Sequence, residues 1–140
     1  RALWALFTSG GMKETDLLAL LDHDDEHVRS WALRLLCEER TPSPAATAKF
    51  AALAAADKSP LVRLFLASML QRTPPAQRWA ALGALSQRAE DADDAGIPLM
   101  LWYATEPLVM TDLARASKLA ADSKIPLLRQ NIARRIAAGN

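Results

Sequence analysis

Valine and isoleucine together supply only seven of the 140 residues, cysteine one, histidine two, tyrosine one and glycine five. Sheets draw on β-branched residues, so their scarcity argues against an extended β structure. A single cysteine cannot form an internal disulfide, and neither a CxxCH haem-attachment motif nor a paired-Cys zinc site can be written around it. Long hydrophobic runs are also missing. Arg, Asp or Pro interrupts every apolar stretch well before the roughly 18 residues a membrane helix needs, so no membrane contact by this segment is expected. Charge of one sign is missing too: 17 Lys+Arg stand against 16 Asp+Glu. That balance removes the general electrostatic case for a nucleic-acid or anionic membrane partner. No Gly-rich phosphate loop, GxSxG elbow or Ser/His/Asp order can be drawn.

What is present is alanine and leucine, 28 and 23 copies, with eight prolines. Both abundant residues favour helix. Proline is tolerated in the first helical turn, where its missing N–H is not needed, and Pro44, Pro75, Pro98, Pro107 and Pro126 sit where helices should start. The fold class is read as all-α. The length suits one domain, residues 1–140. The chain opens at once in an amphipathic pattern, Arg1-Ala2-Leu3-Trp4-Ala5-Leu6-Phe7, that stops at Gly10-Gly11. The expectation is therefore a piece excised from a longer protein.

Internal repetition organises the rest. Val28-Arg29-Ser30-Trp31-Ala32-Leu33-Arg34-Leu35-Leu36 lies over Val62-Arg63-Leu64-Phe65-Leu66-Ala67-Ser68-Met69-Leu70 at an offset of 34. Both have apolar residues at i, i+3, i+4, i+7 and i+8, the signature of one buried helix face. A later copy beginning Leu128-Arg129 keeps the anchor, the Arg, Ile132 and Ile136. A third unit at Pro98-Leu99-Met100 has Leu101 in place of the Arg and is degenerate. Each of these helices follows another amphipathic stretch (16–21, 45–56, 77–89 and 108–121) and a short turn rich in Asp and Ser, residues suited to N-caps. The pattern predicts about four helical hairpins plus a leading helix. A pair of roughly 34 residues cannot bury its apolar face alone, and stacking completes the core. The predicted architecture is a right-handed α-α superhelix.

Several groups of residues invite a chemical reading. His23 and His27 have two-His metal spacing, but His23 sits in the turn before the helix and no third ligand follows, so no metal is expected. The acidic string Glu90-Asp91-Ala92-Asp93-Asp94 has the look of a calcium loop. The twelfth position counted from Asp91 is Trp102, where a calcium hand needs a bidentate Glu. Cys37 lies beside Leu35-Leu36 without a base or oxyanion donor pattern, as packing material does. Trp4, Trp31, Trp79 and Trp102, together with the basic residues Arg115, Lys118, Lys124, Arg129, Arg134 and Arg135, could form a base-stacking surface. However, Trp31 aligns with Phe65, which favours packing, and a DNA-interacting module is the alternative reading.

The turn Asp followed by an apolar-Arg pair resembles HEAT repeats. In that family the turn Asp and the second-helix Arg tend to pair between neighbouring repeats. The positions that match are Asp22 or Asp24 with Arg29, Asp57 with Arg63, and Asp122 with Arg129. Longer strings are more specific. Leu20-Leu21-Asp22-His23-Asp24-Asp25-Glu26-His27-Val28-Arg29, Ser59-Pro60-Leu61-Val62-Arg63-Leu64 and Ile97-Pro98-Leu99-Met100-Leu101-Trp102-Tyr103 resemble the HEAT segment of large membrane-bound dehydrogenases of planctomycete and verrucomicrobial bacteria. The resemblance spans essentially the whole chain. It implies an exported, periplasmic, membrane-associated parent with an N-terminal propeller, a HEAT region and a C-terminal c-type cytochrome part that carries haem. Oxidoreductase chemistry would belong to the propeller and haem parts, leaving this segment without cofactor or catalytic residue. Its role would be to space or dock other domains of the parent chain, or another protein. Aromatic residues gather where the repeat degenerates, so Trp102, Tyr103 and Glu106 are the expected contact residues.

Overall fold

The computed structural model describes residues 2–38 and 41–139. The chain is all-α: every regular element among the described residues is helical. The helices are α1 (Ala2–Thr8), α2 (Glu14–Leu20), α3 (Glu26–Leu36), α4 (Pro44–Ala56), α5 (Pro60–Met69), α6 (Trp79–Ser86), α7 (Ile97–Val109), α8 (Leu113–Asp122) and α9 (Pro126–Ala138). Of the stretch expected to lead the chain, Arg1 lies outside the described residues.

Local chemistry sets the helix ends. Gly10, at φ 74°, lets the chain turn back after α1. The Gly11 N–H then reaches the Leu6 carbonyl at 2.9 Å and the Gly10 N–H the Phe7 carbonyl at 3.0 Å, closing a Schellman motif. Asp25 caps α3 by accepting from the His27 N–H at 2.7 Å, and Ser59 caps α5 by accepting from Val62 at 3.3 Å. Pro44, Pro60 and Pro126 occupy the first position of α4, α5 and α9, and Pro98 the second of α7.

Pro107 departs from the expectation that it opens a helix. It lies inside α7, two residues before the end, and the next helix begins only at Leu113. The ring removes the N–H that would bond the Tyr103 carbonyl, and the loss is small because almost no helix follows it. The adjacent Ala104 carbonyl accepts from the Arg78 guanidinium at 3.0 Å. Asp112 then starts α8 by accepting from the Arg115 N–H at 3.0 Å.

The helices form two rows. In one, α3, α5, α7 and α9 each pack on the next; in the other, α4 packs on α6 and α6 on α8. Consecutive members of the two rows, α2 with α3, α4 with α5, α6 with α7 and α8 with α9, make four hairpins. The core lies between the rows. Phe50 from α4, Leu66 from α5, Leu82 and Leu85 from α6, Leu101 and Leu108 from α7, and Leu128 from α9 are all at most 1% exposed. Each such side chain contributes about 1.5–3 kcal/mol on leaving water. The third hairpin is the irregular one: α6 is short, and 3-10 turns at Leu70–Arg72, Pro75–Gln77 and Ala89–Asp91 surround it. Arg78 holds this region together. Its buried guanidinium donates to the carbonyls of Thr73 (2.7 Å), Ala104 (3.0 Å) and Gln71 (3.1 Å), and burial pulls its pKa down.

Asp94 starts α7, its Oδ1 accepting from the Ile97 and Gly96 N–H groups at 2.8 Å each. Those two donors, Ile97 first, hold its carboxyl below the ordinary 3.8. The folded value is thus under the unfolded one, so the stabilisation is complete above pH 3.8 and disappears as pH falls through the lowered folded value. Asp94→Ala should cost about 1 kcal/mol in urea denaturation at neutral pH. The gap between the variant and the parent chain should close in acid below that range.

Candidate functional site

Two features are candidates for function: the charged bridges that tie hairpin to hairpin, and an apolar surface on the row formed by α3, α5, α7 and α9.

The bridges run forward along the chain. Arg29 on α3 donates from Nε and Nη2 to the carboxylate of Asp57, at 2.8 and 3.0 Å, in the turn of the following hairpin. Its Nη1 donates to the carbonyls of His23 and Asp24 in its own turn, at 2.8 and 2.9 Å. Arg63 on α5 repeats the arrangement. Nε and Nη2 reach the Asp91 carboxylate at 2.6 Å each, and Nη1 reaches the Asp57 carbonyl at 3.0 Å. In both cases the forward partner lies 28 residues on, and the carbonyl six residues back is bonded too. The hydrogen bond to the carboxylate raises the pKa of each arginine. The Arg63–Asp91 pair is almost wholly out of water, at 4% and 3% side-chain exposure. A bidentate fork is the geometry that offsets the desolvation of such a pair.

The other residues of the proposed ladder lie elsewhere. Asp22 pairs with Lys49 on α4, and Asp24 contributes its carbonyl to Arg29. Asp122 accepts from Lys118 one turn back on its own helix, at 2.6 Å. Arg129 is exposed, and its side chain has no hydrogen bond or ion pair among the described residues. The missing bridge is missing at both ends. Leu101 replaces the arginine and is fully buried. At the end of α8, where α4 has Asp57, stands Ser123, whose hydroxyl accepts from the Ile125 N–H at 3.0 Å much as Asp57 accepts from Ser59 at 2.9 Å. An apolar contact thus takes over where the charge pair stops.

The apolar surface lies on the outer side of the same row. Trp31 on α3, Leu64, Phe65 and Met69 on α5, and Met100 on α7 are half-buried, while Leu99 and Tyr103 on α7 are 38% and 46% exposed. An open groove of about 380 Å³ crosses it, floored by Leu64, Phe65, Met69 and Met100, with Arg34 and Arg72 at its rim. The three expected contact residues divide. Tyr103 is offered to solvent; Trp102 is half-buried and packs against the core; Glu106 accepts from Arg135 Nε on α9 at 3.2 Å.

The remaining candidates are structural. His23 Nδ1 accepts from the Asp25 N–H at 3.0 Å, and His27 is exposed; no group of three metal-ligating side chains exists among the described residues. Asp91, in the acidic string, is buried and committed to Arg63. Arg34 stacks over Trp31 at 5.0 Å and Arg115 over Trp79 at 6.0 Å, whereas Trp4 is 52% exposed. Sequence reasoning misses Arg78 and Arg88, which serve carbonyls far along the chain. Arg88 donates to Ala55 at 2.7 Å and to Asp57 at 2.9 Å. No motif marks an arginine that serves main-chain oxygens.

Comparison of the chain with protein-family models, with curated proteins and with solved structures finds no match.

Cys37 is fully buried, and loss of water pushes its thiol up to about 11 against a hydrogen bond with Thr73 that works the other way. Thiolate is the reactive form. At neutral pH the folded chain should therefore react with a chromogenic disulfide reagent only on the timescale of unfolding, and fully and at once in denaturant. Rapid reaction of the native protein would mean that the thiol is accessible.

Proposed function

We propose that this chain is a non-catalytic, HEAT-like scaffold whose stacked hairpins hold other domains of a larger protein in place and receive one of them on the outer face of α3, α5 and α7. The observation that carries the reading is the contrast between the two sides of that row. Its inner side is fixed by the core and by forward Arg-to-carboxylate bridges that repeat at a constant spacing. Its outer side displays apolar and aromatic groups at successive helices, where a free surface would ordinarily be polar.

The likeness of the strings around Arg29, Arg63 and Trp102 to the HEAT segment of membrane-bound dehydrogenases supports placing the parent among proteins of the propeller–HEAT–cytochrome c type. On that reading the parent is exported and membrane-associated, haem c belongs to a part outside this chain, and the scaffold sets the separation between the oxidising and electron-accepting parts.

The test is association in trans. This chain, produced separately from the domains that adjoin it in the parent protein, should bind one of them. Leu99→Lys combined with Tyr103→Lys should weaken that binding at least about tenfold, a loss typical of an interface anchor, while the thermal midpoint stays within a few degrees. Unchanged association in the double variant would contradict the reading. So would loss of the folded circular-dichroism signal, since the two side chains would then be core.

A further inference from the structure

We propose that the groove between α5 and α7 binds an acidic, amphipathic protein segment, one that seats an apolar side chain on Phe65 and Met100 and lays carboxylates against Arg34 and Arg72. The inference deepens the docking reading above and rests on it, since it names the chemistry of the partner for that face.

The groove wall carries charge of one sign. Arg34 and Arg72 line it, and no carboxylate does. Arg34 is exposed, and its guanidinium lies 5.0 Å from the centre of the Trp31 ring. That stacking uses the flat face of the guanidinium and leaves its edge N–H groups free for a planar acceptor such as a carboxylate. Arg72 lies 3.6 Å from Glu38, a long and solvated contact that a better-placed carboxylate can replace. Between the two cations the floor is Leu64, Phe65, Met69 and Met100. Methionine is unbranched and polarizable, so this floor can adapt to the shape of an inserted side chain. Gly96 closes one end at the start of α7. A Cβ there would stand 3.1 Å from Leu64 Cδ1, so the absence of a side chain keeps that end from crowding the floor.

Shape decides between a peptide and a small molecule. A site for a small ligand encloses most of it. This groove is open and runs on into Leu99 and Tyr103, both exposed on α7. An extended surface with one central pocket suits a segment that inserts one anchor and covers its neighbours, as an amphipathic helix does in a groove. The positive rim selects the sign of the residues flanking the anchor.

The test is fluorescence anisotropy of the whole chain with a labelled synthetic peptide carrying Phe and Leu at helical spacing and Glu between them, and with its counterpart in which every Glu is Lys. The acidic peptide should bind, the basic one at least about tenfold more weakly, and added salt should narrow the difference. Arg34→Glu with Arg72→Glu should reverse the preference; both positions are at the surface, so the variant keeps its fold. Arg34→Lys with Arg72→Lys should retain much of the binding, and Phe65→Ser should weaken both peptides. Equal binding of the two peptides, or a preference untouched by the double reversal, overturns the acidic partner while leaving an apolar docking face intact. Binding of neither peptide overturns the proposal as well. Free glutamate or benzoate competing as well as the peptide would identify a small-molecule site and also overturn it. Failure of the docking reading itself registers separately, in the association of Leu99 and Tyr103 variants with adjoining domains.

Discussion

Asp57 is where the structure is tied. Its carboxylate accepts both forks of Arg29 and the N–H of Ser59, and its carbonyl accepts from Arg63 and Arg88. Four segments of chain therefore meet at one residue that is only 8% exposed. The arrangement follows from a simple conflict. A turn between two packed helices must bury main-chain carbonyls close to a charged side chain, and neither is tolerated without partners. An arginine answers both needs because its fork can grip a carboxylate while the third nitrogen satisfies the turn. Because each arginine looks forward, the relation between one hairpin and the next is set by direction-specific contacts. Apolar packing alone would allow the hairpins to slide.

That device is used twice and then abandoned, and the manner of its ending is informative. Leu101 and Ser123 take the places that an arginine and an aspartate hold earlier, so no charge is left unpaired in the interior there. The surrounding hairpin is irregular in compensation. Arg78 supplies donors to the loosened end of α7, where Pro107 has removed one, and the 3-10 turns let the chain reach it. Stability in this region rests on an arginine with three carbonyl partners and no carboxylate, a different solution to the same requirement.

Much of this is legible in residue order. The Ala and Leu content, the apolar spacing around Trp31 and Phe65, and the Asp, Ser and Pro signals at turns place the hairpins within a few residues. The degeneration at Leu101 marks the irregular unit. Residue order does not say which Asp faces which Arg. Asp22, Asp24, Asp57 and Asp91 all stand in turns at plausible distances, and only the stacking of the hairpins decides that Arg29 meets Asp57 and Arg63 meets Asp91. The place of Pro107 escapes a sequence reading for a related reason. Proline within the last turn of a helix costs little, so local preference does not separate that position from a first turn. Trp102 and Tyr103 are neighbours in sequence but face different ways, and a helix turns far enough in one residue to send one toward the core and the other to solvent.

The outer face and the inner bridges divide the labour of the row of helices. Substitutions at Leu99, Tyr103, Arg34 or Arg72 act on surfaces and leave the bridges intact, whereas the interior pairs govern whether the row exists. The measurement that bears most directly on the forward direction of the bridges is a pair of double-mutant cycles, read by urea denaturation. One couples Arg63→Met with Asp91→Leu, the other Arg63→Met with Asp57→Ala. The first should give a coupling of about 2–3 kcal/mol, and the second a coupling of a few tenths, since Asp57 offers Arg63 only its carbonyl. A strong coupling of Arg63 with the Asp57 side chain and none with Asp91 would mean that each arginine serves its own turn, and would contradict a forward linkage between hairpins.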